Sequence, residues 1–517
     1  MDYFEEFVQE IVLGKVSSRN ELLRLKARLC KKYGLARVPT NYEILERVPE
    51  EYRELAEPVL MNKPIRTMSG VAPVAVMTSP FECPHGRCTY CPGGVTNNTP
   101  QSYTGHEPAA LRASMYQYDP FMQTSSRLRQ LRAIGHKTDK VDLIIMGGTF
   151  TSRPEEYQES FVKRCFDAMN GVDSADLESA QVANESAKAR CVGMTVETRP
   201  DWFNEHQVVH SMALGATKVE FGVQILDDEV LDGVKRGHHV KEVVDATRRS
   251  KDAGLKIAYH MMPGLPGSSP KKDLASFKMM VEDERFRPDM LKIYPTLVVK
   301  GTELYDAWKL GEYTPLTLEE TVDLVAKFKK SVPPWIRILR IQRDIPVKLI
   351  DAGVRKSHLR ELVMKKLKED GTPCKCIRCR EIGHVPSPKE GVDDESVEFR
   401  ELKYNASKGT EHFLSFEVPE MDSIIGYARL RMPGGEGAEA ALLRELHVYG
   451  QMVPISGKAG KRWQHKGYGE RLLTACEEEA AEHGLHKILI TSGVGARNYY
   501  RRFGYKRDGP YMAKSIG

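Results

Sequence analysis

The stretch Cys83-Pro-His-Gly-Arg-Cys88-Thr-Tyr-Cys91-Pro-Gly-Gly94 constrains this chain more than any other. Three cysteines fall within nine residues, separated by four residues and then by two. Thiolates this close in sequence can grip one metal centre without closing a long loop. A structural zinc site takes four ligands. Three cysteines with no obvious fourth suit a [4Fe–4S] cluster with one iron left open. That iron can take an outside ligand, such as the amino and carboxylate groups of S-adenosylmethionine. Tyr90, Gly93 and Gly94 fit a tight loop wrapped round a cluster. The competing interpretation is a zinc knuckle completed by His85 or His106, because short motifs discriminate weakly.

The chain has 517 residues, enough for about three domains. At 41% hydrophobic and 28% charged residues it has a globular, water-soluble composition. No apolar run approaches the roughly 18 residues of a membrane helix, so no membrane partner is expected. The acidic start, Met-Asp-Tyr-Phe-Glu-Glu, is unlike a secretory signal. Of ten cysteines, six form two tight clusters, Cys83/Cys88/Cys91 and Cys374/Cys376/Cys379. Cys30, Cys165, Cys191 and Cys476 are scattered. This usage predicts metal binding in a reducing cytoplasm, not a disulfide framework.

A net charge of +5 does not make the whole chain a nucleic-acid magnet, but the charge is uneven. Between Lys15 and Arg37 lie eight basic residues (Lys15, Arg19, Arg24, Lys26, Arg28, Lys31, Lys32, Arg37) and one acid, Glu21. Leu22, Leu23, Leu25 and Leu29 make this stretch amphipathic, and Phe4, Phe7, Val8, Ile11 and Val12 form a helical stripe before it. Such a segment is either a solvated helix face or a phosphate-binding arm. The same two meanings stand for Arg127, Arg129, Arg132, His136, Lys137 and Lys140.

From about Ser69, short apolar runs alternate with amphipathic helical stretches. Strands are predicted at Val71–Met77, Val141–Thr149, Cys191–Arg199, Lys218–Gln224, Leu255–Gly267 and Met290–Pro295, with helices such as 205–214 and 240–253 between them. Repeated strand–helix units predict a parallel α/β sheet or barrel. Such folds place chemistry at the C-terminal ends of their strands. Gly147, Gly148, Thr149, Glu197, Arg199, Gln224 and Lys292 lie near those ends.

Cys374, Cys376 and Cys379 follow a basic amphipathic helix, His358–Lys368. Three thiolates need a fourth ligand for tetrahedral zinc, and His384 and His358 are the candidates by sequence proximity. A zinc staple between two domains is the main expectation, with a redox pair or inert thiols as alternatives. From about residue 396 a separate unit begins, with a core expected to be its own. Strands are predicted at Glu411–Glu417, Ile424–Arg431, Ala441–Gly450 and Lys487–Gly493. Gln464-His-Lys-Gly467-Tyr468-Gly469 then opens an amphipathic helix, Glu470–His483. A glycine loop opening a helix presents backbone N–H groups to an anion. Asn498-Tyr499-Tyr500, followed by Phe503-Gly504-Tyr505, reads as a short helix and turn.

The cysteine loop, Gly147-Gly148-Thr149 and Met262-Pro-Gly-Leu-Pro-Gly267 together resemble radical S-adenosylmethionine enzymes, although the usual cysteine spacing there is three then two. With Gln101-Ser-Tyr-Thr-Gly105, Glu197-Thr-Arg-Pro200, Lys235-Arg-Gly-His238 and Gln342-Arg-Asp-Ile-Pro346, the chain resembles the Elongator catalytic subunit family, in its stand-alone archaeal and bacterial form. The C-terminal order of elements resembles the GCN5-related acetyltransferase (GNAT) fold. The resemblance implies an α/β protein in four parts. These are a basic helical tRNA-binding region (1–68), a radical SAM partial (β/α) barrel (69–345), a zinc-binding linker (346–395) and an α+β GNAT domain (396–517).

The same resemblance implies the site. Cys83, Cys88 and Cys91 would hold the [4Fe–4S] cluster, and Cys374, Cys376 and Cys379 the Zn2+. Gly147, Gly148, Thr149, Glu197, Arg199 and Gln224 would bind S-adenosylmethionine. Acetyl-CoA would lie along Glu445, Leu446, His447 and Val448, with its pyrophosphate on Gln464, Gly467, Tyr468, Gly469 and Glu470, and with Lys140 in contact. Tyr500, Lys292 and Glu445 would be catalytic, Tyr500 as an acid by the thioester sulfur. The implied reaction starts with a 5′-deoxyadenosyl radical that takes hydrogen from the acetyl methyl. The carbon radical adds to C5 of the wobble uridine of tRNA, loss of an electron and a proton restores the base, and hydrolysis frees coenzyme A to leave 5-carboxymethyluridine. The anticodon loop is a fitting partner because its wobble base is already unstacked. A protein lysine acetyltransferase with a scaffolding iron–sulfur domain is the alternative, and a tRNA-binding scaffold without turnover a third. Homodimerisation and accessory Elongator subunits stay open.

Overall fold

The computed structural model describes residues 2–16, 18–60, 70–384, 394–435, 439–449 and 467–516. Seven strands form the first sheet: β1 (Ala72–Met77), β2 (Lys140–Met146), β3 (Arg190–Thr198), β4 (Lys218–Gln224), β5 (Lys256–Met261), β6 (Met290–Ile293) and β7 (Arg337–Ile341). They lie side by side in chain order, every pair parallel. Apolar runs such as Val141-Asp-Leu-Ile-Ile and Lys218-Val-Glu-Phe-Gly-Val suit strands covered on both faces. The sheet curls without β7 pairing to β1, so the architecture is the partial (β/α) barrel the sequence predicts. The strand Arg337–Ile341 is the addition: Arg337 and Arg340 interrupt the short apolar run Ile338, Leu339 and Ile341 that would have marked it.

The second sheet contains β8 (Glu398–Ala406), β9 (Gly409–Val418), β10 (Ser423–Met432), β11 (Ala440–Val448), β12 (Lys487–Ile490), β13 (Lys506–Asp508) and β14 (Tyr511–Ser515). Its order is β13-β14-β12-β11-β10-β9-β8, antiparallel except for β11 with β12. β11 pairs with β12 only from Ala440 to Leu443. Beyond that point β11 keeps its bonds to β10 through Val448, and the sheet splits into a wedge. The helix Tyr468–Glu482 packs Leu472, Leu473, Cys476 and Ala480 onto this sheet.

Four short helices at the N-terminus (Tyr3–Val12, Arg19–Lys32, Asn41–Glu46 and Arg53–Leu60) bury Phe7, Leu25, Leu29, Ile44 and Leu60 in a core of their own. The barrel and the C-terminal sheet keep separate cores, as expected, but the two meet along a close seam. Val494 belongs to the barrel's core, and Gly493 and Gly495 press on the backbone of Val192 and Arg190. The seam is also ionic: Arg429, Arg431 and Arg444 of the second sheet are at most 1% exposed and meet Asp289 and Asp252 of the barrel, while Lys251 of the barrel reaches Glu411 of the second sheet. Among the described residues, no helix is long and apolar enough to cross a membrane.

Candidate active site at the two ends of the barrel

The cysteine loop follows β1 at the C-terminal end of the barrel. Its backbone is tied down by Thr89 N–H to Val234 O (3.2 Å), Leu304 N–H to Thr89 O (2.9 Å) and Arg87 Nε to Cys91 O (2.9 Å). Polar groups gather on the sulfurs. Thr149 Oγ1 lies 3.6 Å from Cys83 Sγ, and His85 Nε2 3.2 Å and Arg236 Nη1 3.7 Å from Cys88 Sγ. Gln101 Nε2 and Ser102 Oγ lie 3.5 and 3.4 Å from Cys91 Sγ. Burial, then the charge of Cys88, pushes the free Cys91 thiol up to about 11. A bound metal reverses that preference because it deprotonates its thiols. Donors on all three sulfurs, with few other ligands at hand, fit a cluster that leaves one site open. Burial, with Arg199 and Arg236, pushes the His85 imidazole down to about 3, while His106 is exposed.

Beside this loop sits the turn after β2. Gly147 and Gly148 have φ of +128° and +95°, a conformation that disfavours any side chain. A Cβ on Gly147 would overlap the Thr78 hydroxyl, and one on Gly148 would lie 3.4 Å from Gln101 Cβ. At the same end of the barrel, Gln224 and Gln342 close β4 and β7 with φ of +74° and +95°. The Oε1 atoms of both, and both ring nitrogens of His238, are buried without a hydrogen-bond partner. Strained backbone with orphaned polar atoms around one opening fits a polar ligand of the S-adenosylmethionine kind. Arg199 has another setting: it chelates Asp201 (2.9 and 2.6 Å) and donates to the carbonyls of Arg236 (2.7 Å) and Gly237 (2.9 Å). It fastens the loop that carries Arg236 and His238.

Inside the barrel, Lys292 pairs with Glu220 and lies 3.2 Å from Glu197. His260 Nε2 is 2.8 Å from Glu220, and Tyr103 OH donates to Glu197 (3.0 Å). Burial alone would depress Lys292, but Glu220, Tyr294 and Glu197 outweigh it and hold the ammonium above its usual range. Glu220 and His260 were not singled out by sequence. The signal was register: Glu197 faces Glu220, and His260 faces Lys292, on adjacent strands.

The residues expected to bind acetyl-CoA lie at the opposite end. A cavity of about 790 Å³ runs along the seam, between the N-terminal ends of the barrel strands and the wedge of the second sheet. Lys140, Glu445, Leu446, His447, Val448, Gly467, Gly469, Glu470 and Tyr500 all line it. Here, among the described residues, β11 has parted from β12, a splayed arrangement that suits an extended amide-bearing ligand. Gly467 caps the helix with φ +86°, and a Cβ on Gly469 would stand 2.7 Å from the Tyr499 hydroxyl. Burial, then Tyr499, raises Tyr500 well above an ordinary phenol, so it keeps its proton to donate. Burial opposes a charge on Glu445, yet Lys256 and Arg429 (Nε 2.9 Å away) hold it below its usual value. Burial lowers Lys140. The Tyr468 side chain packs in the core of the second sheet. Gln464 lies outside the described residues.

The sulfurs of Cys374, Cys376 and Cys379 lie within 4.8 Å of one another. Tetrahedral zinc with Zn–S of about 2.3 Å needs S···S edges of about 3.8 Å, so the group fits this metal. Neither expected histidine joins it. His384 Nε2 stands 3.7 Å from Glu381, and His358 is exposed at a helix start. The segment does bridge the two halves: Ile377 N–H bonds Ile336 O (3.0 Å), while Lys375 and Arg380 pair with Asp422 (2.9 and 2.8 Å).

The basic stretches change character on folding. Lys15 and Arg28 meet Glu10 (3.2 and 3.1 Å), Lys32 meets Glu6 (2.6 Å), Arg37 meets Glu43, and Lys26 is buried on Asn41 (2.7 Å). Acids outside the Lys15–Arg37 window fold back onto it; Arg24 and Lys31 remain exposed. The second patch is dispersed. His136 is buried, Lys137 pairs with Glu57 (2.9 Å) and Lys140 lines the inner cavity.

Four family models match the chain: the ELP3 N-terminal domain over residues 1–68, the Radical SAM superfamily over 79–278, the Radical_SAM C-terminal domain over 288–369 and the Acetyltransferase (GNAT) family over 377–505. The chain is 48% identical to the tRNA uridine(34) acetyltransferase of Methanocaldococcus jannaschii, covering 99% of this chain and 97% of that one. It is 42% identical to the human Elongator complex protein 3, covering 96% and 93%. Its structure is similar to that of an N-terminally deleted Elp3 of Methanocaldococcus infernus, with a TM-score of 0.77, 45% identity, and 87% and 100% of the two chains covered. With cysteine loop, glycine turn and acetyltransferase wedge in one molecule, this chain belongs to the Elongator complex protein 3 family.

Proposed function

We propose that this protein is a tRNA uridine(34) acetyltransferase, transferring an acetyl-derived carboxymethyl group from acetyl-CoA to C5 of the wobble uridine. The observation that carries this is the seam cavity. It joins the wedge and glycine loop of an acetyltransferase to the base of a barrel whose other end holds Cys83, Cys88 and Cys91. Bound there, a [4Fe–4S] cluster and S-adenosylmethionine supply a carbon-centred radical able to take hydrogen from an unactivated methyl group. The chain's own residues do the rest. Gly147, Gly148, Thr149, Gln224 and His238 seat the nucleoside cofactor, and Arg199 fixes the loop behind it. Gly467, Gly469 and the strand segment Glu445–Val448 hold coenzyme A. Tyr500 donates a proton at the thioester sulfur, while Glu445 and Lys292 place charge at fixed points. Residues 1–68 contact the anticodon stem-loop, 69–345 carry the radical chemistry, 346–395 the zinc staple and 396–517 the acetyl donor, all in a reducing cytoplasm.

Incubation with acetyl-CoA, S-adenosylmethionine, a reductant and tRNA, followed by nucleoside mass spectrometry, tests this. 5-Carboxymethyluridine is the expected product. Acetyl-lysine on added protein with unmodified tRNA is the result that overturns it.

A further inference from the structure

We propose that the amine of Lys329 takes the fourth place at Cys374, Cys376 and Cys379, closing that centre. The inference rests on the zinc assignment above and names the ligand that the two histidines do not provide. Lys329 stands near the end of the helix Leu318–Lys330, and its side chain is 0% exposed. Its Nζ lies 3.5 Å from Cys379 Sγ and 4.0 Å from Cys376 Sγ. A tetrahedron with Zn–S of about 2.3 Å and Zn–N of about 2.05 Å has N···S edges of about 3.6 Å. The amine therefore stands close to where a fourth ligand belongs.

Charge and burial lead to the same place. Among the described residues, no carboxylate forms an ion pair with Lys329. A fully buried amine facing sulfur alone is costly unless those sulfurs carry charge or share a metal with it. Metal binding supplies both conditions, since ligands lose their protons when the ion enters. Three thiolates and a neutral amine on Zn2+ leave one negative charge, and Arg360 lies within electrostatic reach of Cys376 and Cys379 to balance it. The three cysteines sit in the linker while Lys329 belongs to a barrel helix, so the metal would tie the linker to the barrel.

The test uses the purified full chain. Metal analysis should give zinc at this centre, and X-ray absorption should show three sulfurs at about 2.3 Å and one nitrogen at about 2.05 Å, without the multiple scattering of an imidazole. Lys329→Met should release zinc to a chelator at least tenfold faster than the parent. His358→Ala and His384→Ala should release it at the parent rate. Lys329→Cys should keep zinc with four sulfurs, which separates a lost ligand from a lost fold. An imidazole signature in the parent, or parent-like zinc retention by Lys329→Met, overturns the proposal. A parent chain that binds no zinc sinks the zinc assignment itself.

Discussion

Arg444 and Asp289 are joined by two hydrogen bonds, Nη1 to Oδ2 at 2.8 Å and Nη2 to Oδ1 at 2.5 Å, and both side chains are 0% exposed. The pair spans the seam, and Glu411, Lys251 and Arg429 complete its surroundings. Removing one partner of such a pair strands the other charge, at a cost of about 3–5 kcal/mol. Asp289→Asn should lower the stability by that amount while leaving the N-terminal helices intact, as followed by calorimetry and limited proteolysis. Burial opposes ionisation of Asp289, but Arg444, Lys251 and Arg429 outweigh it and hold the carboxyl far below its usual range. Its contribution is therefore complete above the ordinary carboxylate pKa and is lost only as pH falls towards the depressed value. The variant should lack that part of the parent's loss of stability on acidification.

The cluster is tested at its ligands. Replacing Cys83, Cys88 and Cys91 with alanine should abolish the brown iron–sulfur chromophore after anaerobic reconstitution. Acetyl-CoA binding should survive, because the seam cavity lies at the other end of the strands. A parent protein that takes up zinc and no iron at this loop would defeat the radical assignment.

The acetyl end is tested at its glycines. Val at Gly467 faces a left-handed backbone, and at Gly469 it collides with the Tyr499 hydroxyl. The double variant should lose acetyl-CoA binding by calorimetry and all uridine modification, while still assembling its cluster. Tyr500→Phe should be milder, keeping the ring in its packing and losing the proton donor. Carboxymethyluridine made by the double glycine variant would show that the acetyl donor binds elsewhere.

Deleting residues 1–37 should weaken tRNA binding. The slope of log affinity against log salt should flatten by somewhat under one unit for each phosphate the arm no longer neutralises. Since Lys15, Arg28, Lys32 and Arg37 already face acids, the change should reflect a few phosphates near Arg24 and Lys31 instead of eight. An unchanged slope in filter binding would make the arm a plain solvated helix.

The barrel was legible because parallel strands advertise themselves as apolar runs that end in glycine, as Val141–Gly148 does. Its edge strand Arg337–Ile341 and the polar strand Glu398–Ala406 were not, since neither has a continuous apolar run. The two cysteine clusters were visible by spacing alone. Lys329 was not, lying 47 residues from Cys376 in a run of lysines typical of a solvated helix end. Sequence proximity favoured His358 and His384, but ligands are chosen by proximity in space. Nothing in the sequence marks Arg429, Arg431 and Arg444 as buried, because the partner that covers them comes from another domain.

The seam also has a genetic consequence. One chain contributes both walls of the cavity, from Lys140 at the barrel's base to Tyr500 in the second sheet. An allele altered at Lys140 and one altered at Gly467 should therefore fail to complement each other when expressed together, since neither polypeptide can lend its intact wall to the other. Expressing the two halves as separate genes should fail for the same reason, each exposing arginines or apolar side chains that only the other half can cover.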